Sequence, residues 1–579
     1  MSSITVLIRQ PLLAGFGATL VLGLAACSAS NDEPATSVVV PKAAESKMKQ
    51  EALHEEVDAN ASYSAQPSVV AGAMEARKAM PQNMPMIAPA APLADSAAFG
   101  YQDVYREQYQ KIESSPVQAV AQQPVSTFSI DVDTGAYANV RRFLNDGSLP
   151  PKDAVRLEEL VNYFPYAYPK PDGDVPFSVA TELATTPWNP ETRLLRVAIK
   201  AADLSAAELP PANLVFLVDV SGSMDRREGL PMVQSTLKLL VDQLRPQDRV
   251  ALVTYAGNAS VVLESTAGSE KAKIRAAIDQ LTAGGSTAGE SGIQLAYQEA
   301  QKGMLKGGIN RILLATDGDF NVGISDFETL KQLAADKRKT GVSLTTLGFG
   351  TDNYNEQLME QLADAGDGNY AYIDNLREAR KVLVDQLSST LAVVAKDVKI
   401  QVEFNPAEVS EYRLLGYENR ALKREDFSND KVDAGEIGAG HTVTALYEVV
   451  PVGAKGWLEP LRYAQAKEQG KAGEIAWLRL RYKAPEGGAS KLVERPISKG
   501  EATPIAKASD DLRFAAAVAA FAQQLKDAKY TGNFGLADSA KLARGAKGED
   551  PFGLRGEFVQ LVELAQSLQT PQNVQVRAD

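Results

Sequence analysis

Between residues 211 and 396, short apolar runs alternate with segments whose apolar positions recur at helical spacing. The runs are NLVFLVDV, RVALVTYA, ASVVLES, RILLATDG, GVSLTTLGFG and NYAYID. The segments between and after them include PMVQSTLKLLVDQL, EKAKIRAAIDQL, GESGIQLAYQEAQ, DFETLKQLAADKR, NEQLMEQLADA and LREARKVLVDQLSSTLAVVA. Nearly continuous β-branched strands separated by helices predict an α/β domain on a doubly wound, mostly parallel sheet. On either side the period changes. FSVATELATT and RLLRVAIKA precede this region, and DVKIQVEF, EYRLLGYE, HTVTALYEVV and EIAWLRLRY follow it, with the alternation of half-buried antiparallel strands. Strand-rich sequence on both sides predicts that residues 174–200 pack with the later strands in a β-sandwich, the α/β domain being an insertion. Upstream, STFSIDVDTGAYANVRRFLNDG reads as a strand, a turn and a helix capped by Thr134, and residues 153–164 read as a further helix. The tail is helical. Ser509 before Asp510 and Asp511 is a capped start, and Phe514, Val518, Phe521 and Leu525 share one face. Phe558, Leu561, Val562 and Ala565 repeat that stripe, which predicts a helical cover on the sandwich.

The first residues bear on where the chain works. MSSITVLIRQPLLAGFGATLVLGLAACSAS sets one arginine before an apolar run of signal-peptide length, then small residues. Leu24-Ala25-Ala26-Cys27 resembles the lipobox of bacterial lipoproteins, whose cleavage leaves a lipidated cysteine at the new N-terminus. The alternative is a plain signal peptide with an incidental cysteine. Cys27 is the one cysteine of the chain and has no disulfide partner, which favours the lipid anchor. Ser28 behind it implies, by the same resemblance, sorting to the outer membrane in the cell envelope of a Gram-negative bacterium. No later run reaches the roughly 18 apolar residues of a membrane span. Residues 28 to about 120 are rich in Ala, Pro, Ser, Gln and Met and lack apolar periodicity, as expected of a disordered tether. Such a chain reaches roughly 50–60 Å root-mean-square. Met74, Met80, Met84 and Met86 suggest soft copper(I) ligands, but no Cys or His stands close by and an ordinary tether explains them. The predicted division is a signal peptide at 1–26, a tether at 27–120, an N-terminal α+β domain at 121–210, the α/β domain at 211–396, a β-sandwich-like domain at 397–490 and a helical region at 491–579.

Composition removes several functions. A net charge of −13 with no basic block argues against nucleic acid as a partner. The two histidines, His54 in the tether and His441 at the start of a strand, cannot assemble a Ser-His-Asp set, a Cys-His pair or a zinc site. An enzyme would have to work with carboxylates and a metal alone, so a non-enzymatic role and no catalytic residue are expected. Asp133-Thr134-Gly135 resembles an aspartic-protease loop, yet that chemistry needs two such carboxylates and the triplet occurs once. Asp131-Val-Asp133 resembles a haloacid-dehalogenase nucleophile loop, but Gly135 stands where that pattern wants Thr or Val. Structural capping is the preferred reading of this turn.

The acids at predicted strand ends are Asp219 and Asp317. DVSGSM, AGGSTAGE and LLATDGD, in that order, resemble the von Willebrand factor A domain and its metal-ion-dependent adhesion site. The resemblance puts the D-x-S-x-S triplet on Asp219, Ser221 and Ser223, the threonine on Thr287 with Ser286 as its neighbouring alternative, and the second aspartate on Asp317. It implies a divalent cation, Mg²⁺ or Mn²⁺, bound directly by hydroxyls and held by the aspartates, often through water. An open coordination position would take an acidic side chain from a protein partner. The residue types suit this, because Mg²⁺ prefers hard oxygen ligands and keeps several waters. Nearly everything after residue 120 resembles a group of Gram-negative von Willebrand A lipoproteins. The expected function is envelope adhesion to a protein ligand. The competing readings are a structural component whose metal only stabilises the fold, and a carboxylate- and metal-assisted hydrolase. A role assisting a cytosolic ATPase conflicts with the signal peptide.

Overall fold

The computed structural model describes residues 107–130, 133–205, 207–285, 289–318, 327–351, 354–459, 471–500 and 502–569. Cys27, the expected tether up to residue 106 with its methionines, and Asp131 lie outside them. Residues 107–120, which the sequence also assigned to the tether, instead pack on the body: Gln118 and Ala119 pair antiparallel with Tyr412 and Glu411, and Glu107 meets Arg142 at 2.7 Å. Among the described residues no helix is long and apolar enough to cross a membrane. Among the described residues the first elements are strands β1 (Gln118–Ala119) and β2 (Val125–Ser129), helices α1 (Gly135–Asn145) and α2 (Leu157–Asn162), and the hairpin β3 (Phe177–Thr186) and β4 (Asn189–Ala201). The α/β domain follows with β5 (Ala212–Asp219), α3 (Leu230–Gln243), β6 (Arg249–Tyr255), β7 (Ala259–Ala267), α4 (Lys271–Asp279) and α5 (Gly289–Lys302). It continues through β8 (Ile309–Thr316), α6 (Phe327–Arg338), β9 (Ser343–Gly348), α7 (Glu356–Ala365) and β10 (Tyr370–Tyr372). Its last helix is in two pieces, α8 (Leu376–Arg380) and α9 (Leu387–Leu391), joined by a π-helical turn over Lys381–Asp385. Then come β11 (Val393–Phe404), β12 (Val409–Leu415), β13 (Ile437–Gly438), β14 (Thr442–Pro451), β15 (Glu474–Ala484) and β16 (Gly487–Ser498). Helices α10 (Asp510–Lys526), α11 (Leu536–Arg544) and α12 (Leu554–Gln569) are the last described elements.

The α/β sheet runs β10-β9-β8-β5-β6-β7, parallel except for the antiparallel edge strand β7. Every residue of β5 is buried, because helices cover both faces. Leu214, Phe216 and Val218 pack with Val233, Leu237 and Ile278 on one side. Val215 and Leu217 pack with Ile293, Tyr297 and Met359 on the other. This two-sided burial is why the strand reads as one continuous apolar run. The final helix, expected to run to residue 395, stops at Leu391. The β-branched Val393 and Val394 that follow open β11, which pairs with β13 from Val393 onward.

Two further sheets form one body around this domain. One has the order β1-β12-β14-β4-β3; in the other, β11 pairs with β15, which pairs with β16, and with β13 and β2. Leu195 of β4 pairs with Tyr447 of β14, and Phe128 of β2 with Ile400 of β11. Segments 121–210 and 397–490 therefore share their sheets and are not two separate domains. The α/β domain is inserted between them: β4 leads into it and β11 leaves it. The first sheet is also buried on both faces, where half-burial was expected. Leu195, Val197 and Ile199 face Ile400, Val402 and Leu478 of the second sheet. Leu194 and Ala198 join Leu512, Phe514, Phe558 and Val562 under the terminal helices. Those helices start at Asp510, with the Ser509 hydroxyl accepting the Leu512 N–H at 3.1 Å. The helical region thus begins after β16, later than the expected residue 491. The helix expected over 153–164 is split, because Val155 and Arg156 are extended between a 3-10 turn at Lys152–Ala154 and α2.

Two buried arginines and a half-buried one tie the inserted domain to the body. Arg141 of α1 reaches Asp374 and Glu378, at the start of α8, at 2.5 and 2.8 Å, and Glu557 of α12 at 3.2 Å. Arg156 pairs with Glu356 of α7 at 3.2 Å, and Arg420 with Glu360 of the same helix at 3.0 Å.

Candidate metal-binding site

The parallel strands end at one edge of the sheet, the place where such sheets gather ligand-binding groups. Asp219 is the last residue of β5 and is 0% exposed. Its Oδ1 accepts the Ser221 backbone N–H at 2.9 Å. Its Oδ2 accepts the Thr316 hydroxyl at 2.8 Å and the Tyr255 hydroxyl at 3.3 Å, from the ends of β8 and β6. Burial, and then the neighbouring Asp317, push the Asp219 carboxyl up to about 6 against the hydrogen bonds from Ser221 and Thr316. The chain leaves β5 through a single 3-10 turn, Gly222–Met224, which brings the Ser221 and Ser223 hydroxyl oxygens within 3.0 Å of each other.

Two neighbouring loops close on this turn. Gly222 donates to the Gly285 carbonyl at 3.0 Å, and Gly284 donates to the Val220 carbonyl at 2.7 Å. Gly285 has φ +95°, a left-handed conformation that glycine adopts without steric cost. Ser286 and Thr287, the next two residues, lie outside the described ones. Asp317 directly follows β8 and is also 0% exposed. Arg226 extends from the turn to its Oδ2 at 3.4 Å. The same guanidinium donates from Nε to the Ser223 carbonyl at 2.8 Å and from Nη1 to the Thr351 carbonyl at 2.7 Å.

The structure thus brings together Asp219, Ser221, Ser223 and Asp317. Among the described residues no group of three or more His, Cys, Asp or Glu converges as a metal cluster. An ion held here would depend on hydroxyls as well as carboxylates. Two buried carboxylates that raise each other's cost of ionisation, beside two adjacent hydroxyl oxygens, form a hard-oxygen donor set that fits Mg²⁺ or Mn²⁺. Sequence reasoning missed Arg226. Its signal was the DRRE run directly after the serines, which reads as ordinary loop charge.

The other residues singled out in the sequence fall elsewhere. Asp133 is buried, accepting the Tyr370 N–H at 2.8 Å and facing Arg420 at 3.2 Å. Thr134 precedes α1 but makes no side-chain cap; Glu159 of α2 accepts the Ala136 N–H at 2.8 Å in its place. A Cβ on Gly135 would sit 2.3 Å from the Tyr370 ring, so close packing accounts for the glycine of that triplet. His441 is pushed down to about 4 by burial and by Lys200 and Lys381.

The fold defines the class, a von Willebrand factor type A domain set into a β-sandwich body. The von Willebrand factor type A domain model matches residues 213–386, and a von Willebrand factor model matches residues 103–196. A model described as "Uncharacterized protein YfbK, C-terminal" matches residues 389–568. Protein YfbK of Escherichia coli K12 is 53% identical over 467 residues, covering 79% of this chain and 80% of that relative. The chain belongs to the YfbK family. Protein sll0103 of Synechocystis is 36% identical over 188 residues, which is 32% of this chain and 43% of that protein. A solved von Willebrand factor type A structure from Catenulispora acidiphila is 17% identical, covers 66% of this chain and 88% of that one, and has a TM-score of 0.38.

Proposed function

We propose that this protein is a lipid-anchored cell-envelope protein that engages a protein partner through a divalent cation held by Asp219, Ser221, Ser223, Thr287 and Asp317. The observation that carries the reading is the pair of fully buried carboxylates at adjoining strand ends, with two serine hydroxyls 3.0 Å apart beside them. A bound Mg²⁺ or Mn²⁺ would supply a Lewis-acidic position for an acidic side chain of the partner. Asp219, fixed by Ser221, Thr316 and Tyr255, orients the serine turn and balances the ion's charge. Asp317, directly after β8 and 3.4 Å from Arg226, adds its charge from the neighbouring strand end. Neutral hydroxyls leave much of that charge for the ligand to satisfy, which favours binding over hydrolysis. Cys27, lipidated, would keep the body at the outer membrane.

The test is a pull-down from envelope extract with a soluble form beginning at residue 107. It is run in Mg²⁺, in EDTA, and with Asp219→Ala in Mg²⁺. A partner retained only by the wild type with Mg²⁺ is the expected result. The same proteins in every lane, with the fold intact by circular dichroism, would refute metal-dependent adhesion.

A further inference from the structure

Arg226 is held more firmly than a loop arginine needs to be. Its guanidinium spans the β5, β8 and β9 ends through Ser223, Asp317 and Thr351. Gly350 makes room for it. At φ +76°, a Cβ there would lie 3.4 Å from the Asp317 Cβ, 3.7 Å from the Arg226 Nε and 3.8 Å from its Cζ. The adjoining Arg227 carries the same charge, yet it is exposed. A fixed cation 3.4 Å from one of the two carboxylates alters what those carboxylates can offer an ion.

We propose that Arg226 is an internal counter-cation of the metal site, neutralising Asp317 while no ion is bound and competing with a divalent cation for that carboxylate. This rests on the metal reading above. The guanidinium compensates a buried anion that would otherwise be costly, so the ion-free loops keep their arrangement. The same charge repels an arriving cation, which weakens its intrinsic binding. The Arg226 side chain is 22% exposed, so its charge is also felt by an acidic group approaching the serine turn. A partner carboxylate relieves the repulsion between ion and guanidinium, and ion binding and partner binding therefore reinforce each other.

The full-length chain in detergent is titrated with Mn²⁺, free ion being read by electron paramagnetic resonance. Asp219→Ala gives the background of ordinary acidic surface. Arg226→Gln is expected to bind Mn²⁺ at least tenfold more tightly than the wild type, about 1.4 kcal/mol, and to unfold at a lower temperature when free of metal. Arg227→Gln, which removes the same charge from the exposed neighbour, should change the affinity less than twofold. Arg226→Lys keeps the charge while losing the fork to Ser223 and Thr351, and should stay near the wild-type affinity. Equal or weaker binding by Arg226→Gln would overturn the proposal. So would a shift in Arg226→Lys as large as in Arg226→Gln, which would assign the residue to loop geometry. If neither the wild type nor Arg226→Gln exceeds the Asp219→Ala background, the metal reading itself fails.

Discussion

Replacing Arg141 by methionine tests how the inserted domain is fixed to its body. Arg141 is 1% exposed and makes contacts to residues from three separate parts of the chain. Its Nη2 meets Asp374 at 2.5 Å and Glu378 at 2.8 Å, its Nε meets Asp374 at 2.8 Å, and its Nη1 meets the Tyr163 hydroxyl at 2.9 Å and Glu557 at 3.2 Å. Methionine fills much of the same space but leaves these acids without that partner. Removing one member of a buried ion pair costs about 3–5 kcal/mol. Lys381 remains 3.4 Å from Glu378, and Glu557 is 19% exposed, so the loss should lie near the lower end of that range.

The sign of the pH dependence follows from the acids. Asp374 is raised by burial even with Arg141 present. Burial also acts to raise Glu378, but Lys381 and Arg141 outweigh it and hold this carboxyl below its usual range. Without Arg141 both folded-state values rise, while the unfolded-state values stay near 4. The folded variant then takes up protons more readily than the unfolded chain. Its deficit is largest above the raised values and shrinks as pH falls through them. Urea unfolding at pH 8 and pH 5 measures this. Trp188, Trp457 and Trp477, the three tryptophans of the chain, all lie in the body, so fluorescence follows the body alone and circular dichroism follows both parts. We expect a loss of about 3 kcal/mol at pH 8, a smaller loss at pH 5, and a separation of the two unfolding curves in the variant. A loss below about 1 kcal/mol at pH 8, or one unchanged at pH 5, would refute the clamp.

Two further outcomes are expected. Gly135→Ala forces a Cβ to within 2.3 Å of the buried Tyr370 ring and should cost about 1–3 kcal/mol in urea unfolding; a neutral result would show that α1 shifts freely against β10. His441 is pushed down to about 4, so the folded chain holds it neutral while the unfolded chain protonates near 6.5. Stability should therefore fall by about 1–2 kcal/mol between pH 6.5 and pH 5 through this residue. His441→Gln should flatten that slope, and a His441 proton resonance titrating near 6.5 would contradict it.

What the sequence disclosed depended on how local the physics is. The α/β sheet was legible because strands such as β5 and β8 are buried on both faces and so carry the apolar runs LVFLV and ILLA between helical segments. The placement of Asp219 and Asp317 side by side was legible because one ends β5, the other directly follows β8, and strand ends on a parallel sheet meet at one edge. The burial of β4 on both faces over Leu194–Ile199 was not, since the helices that cover Leu194 and Ala198 begin more than 300 residues later. The two arginines show the same limit more sharply. Arg141 sits in a Val-Arg-Arg-Phe run that reads as an exposed helix face, and its acids come from positions 374, 378 and 557. Arg226 reads as loop charge until β8 is known to lie beside β5, which places residue 317 within 3.4 Å of it. A motif records which atoms can hold an ion. The charges that surround those atoms are set by the strand order, which no motif records, and Arg226, 3.4 Å from Asp317, is such a charge.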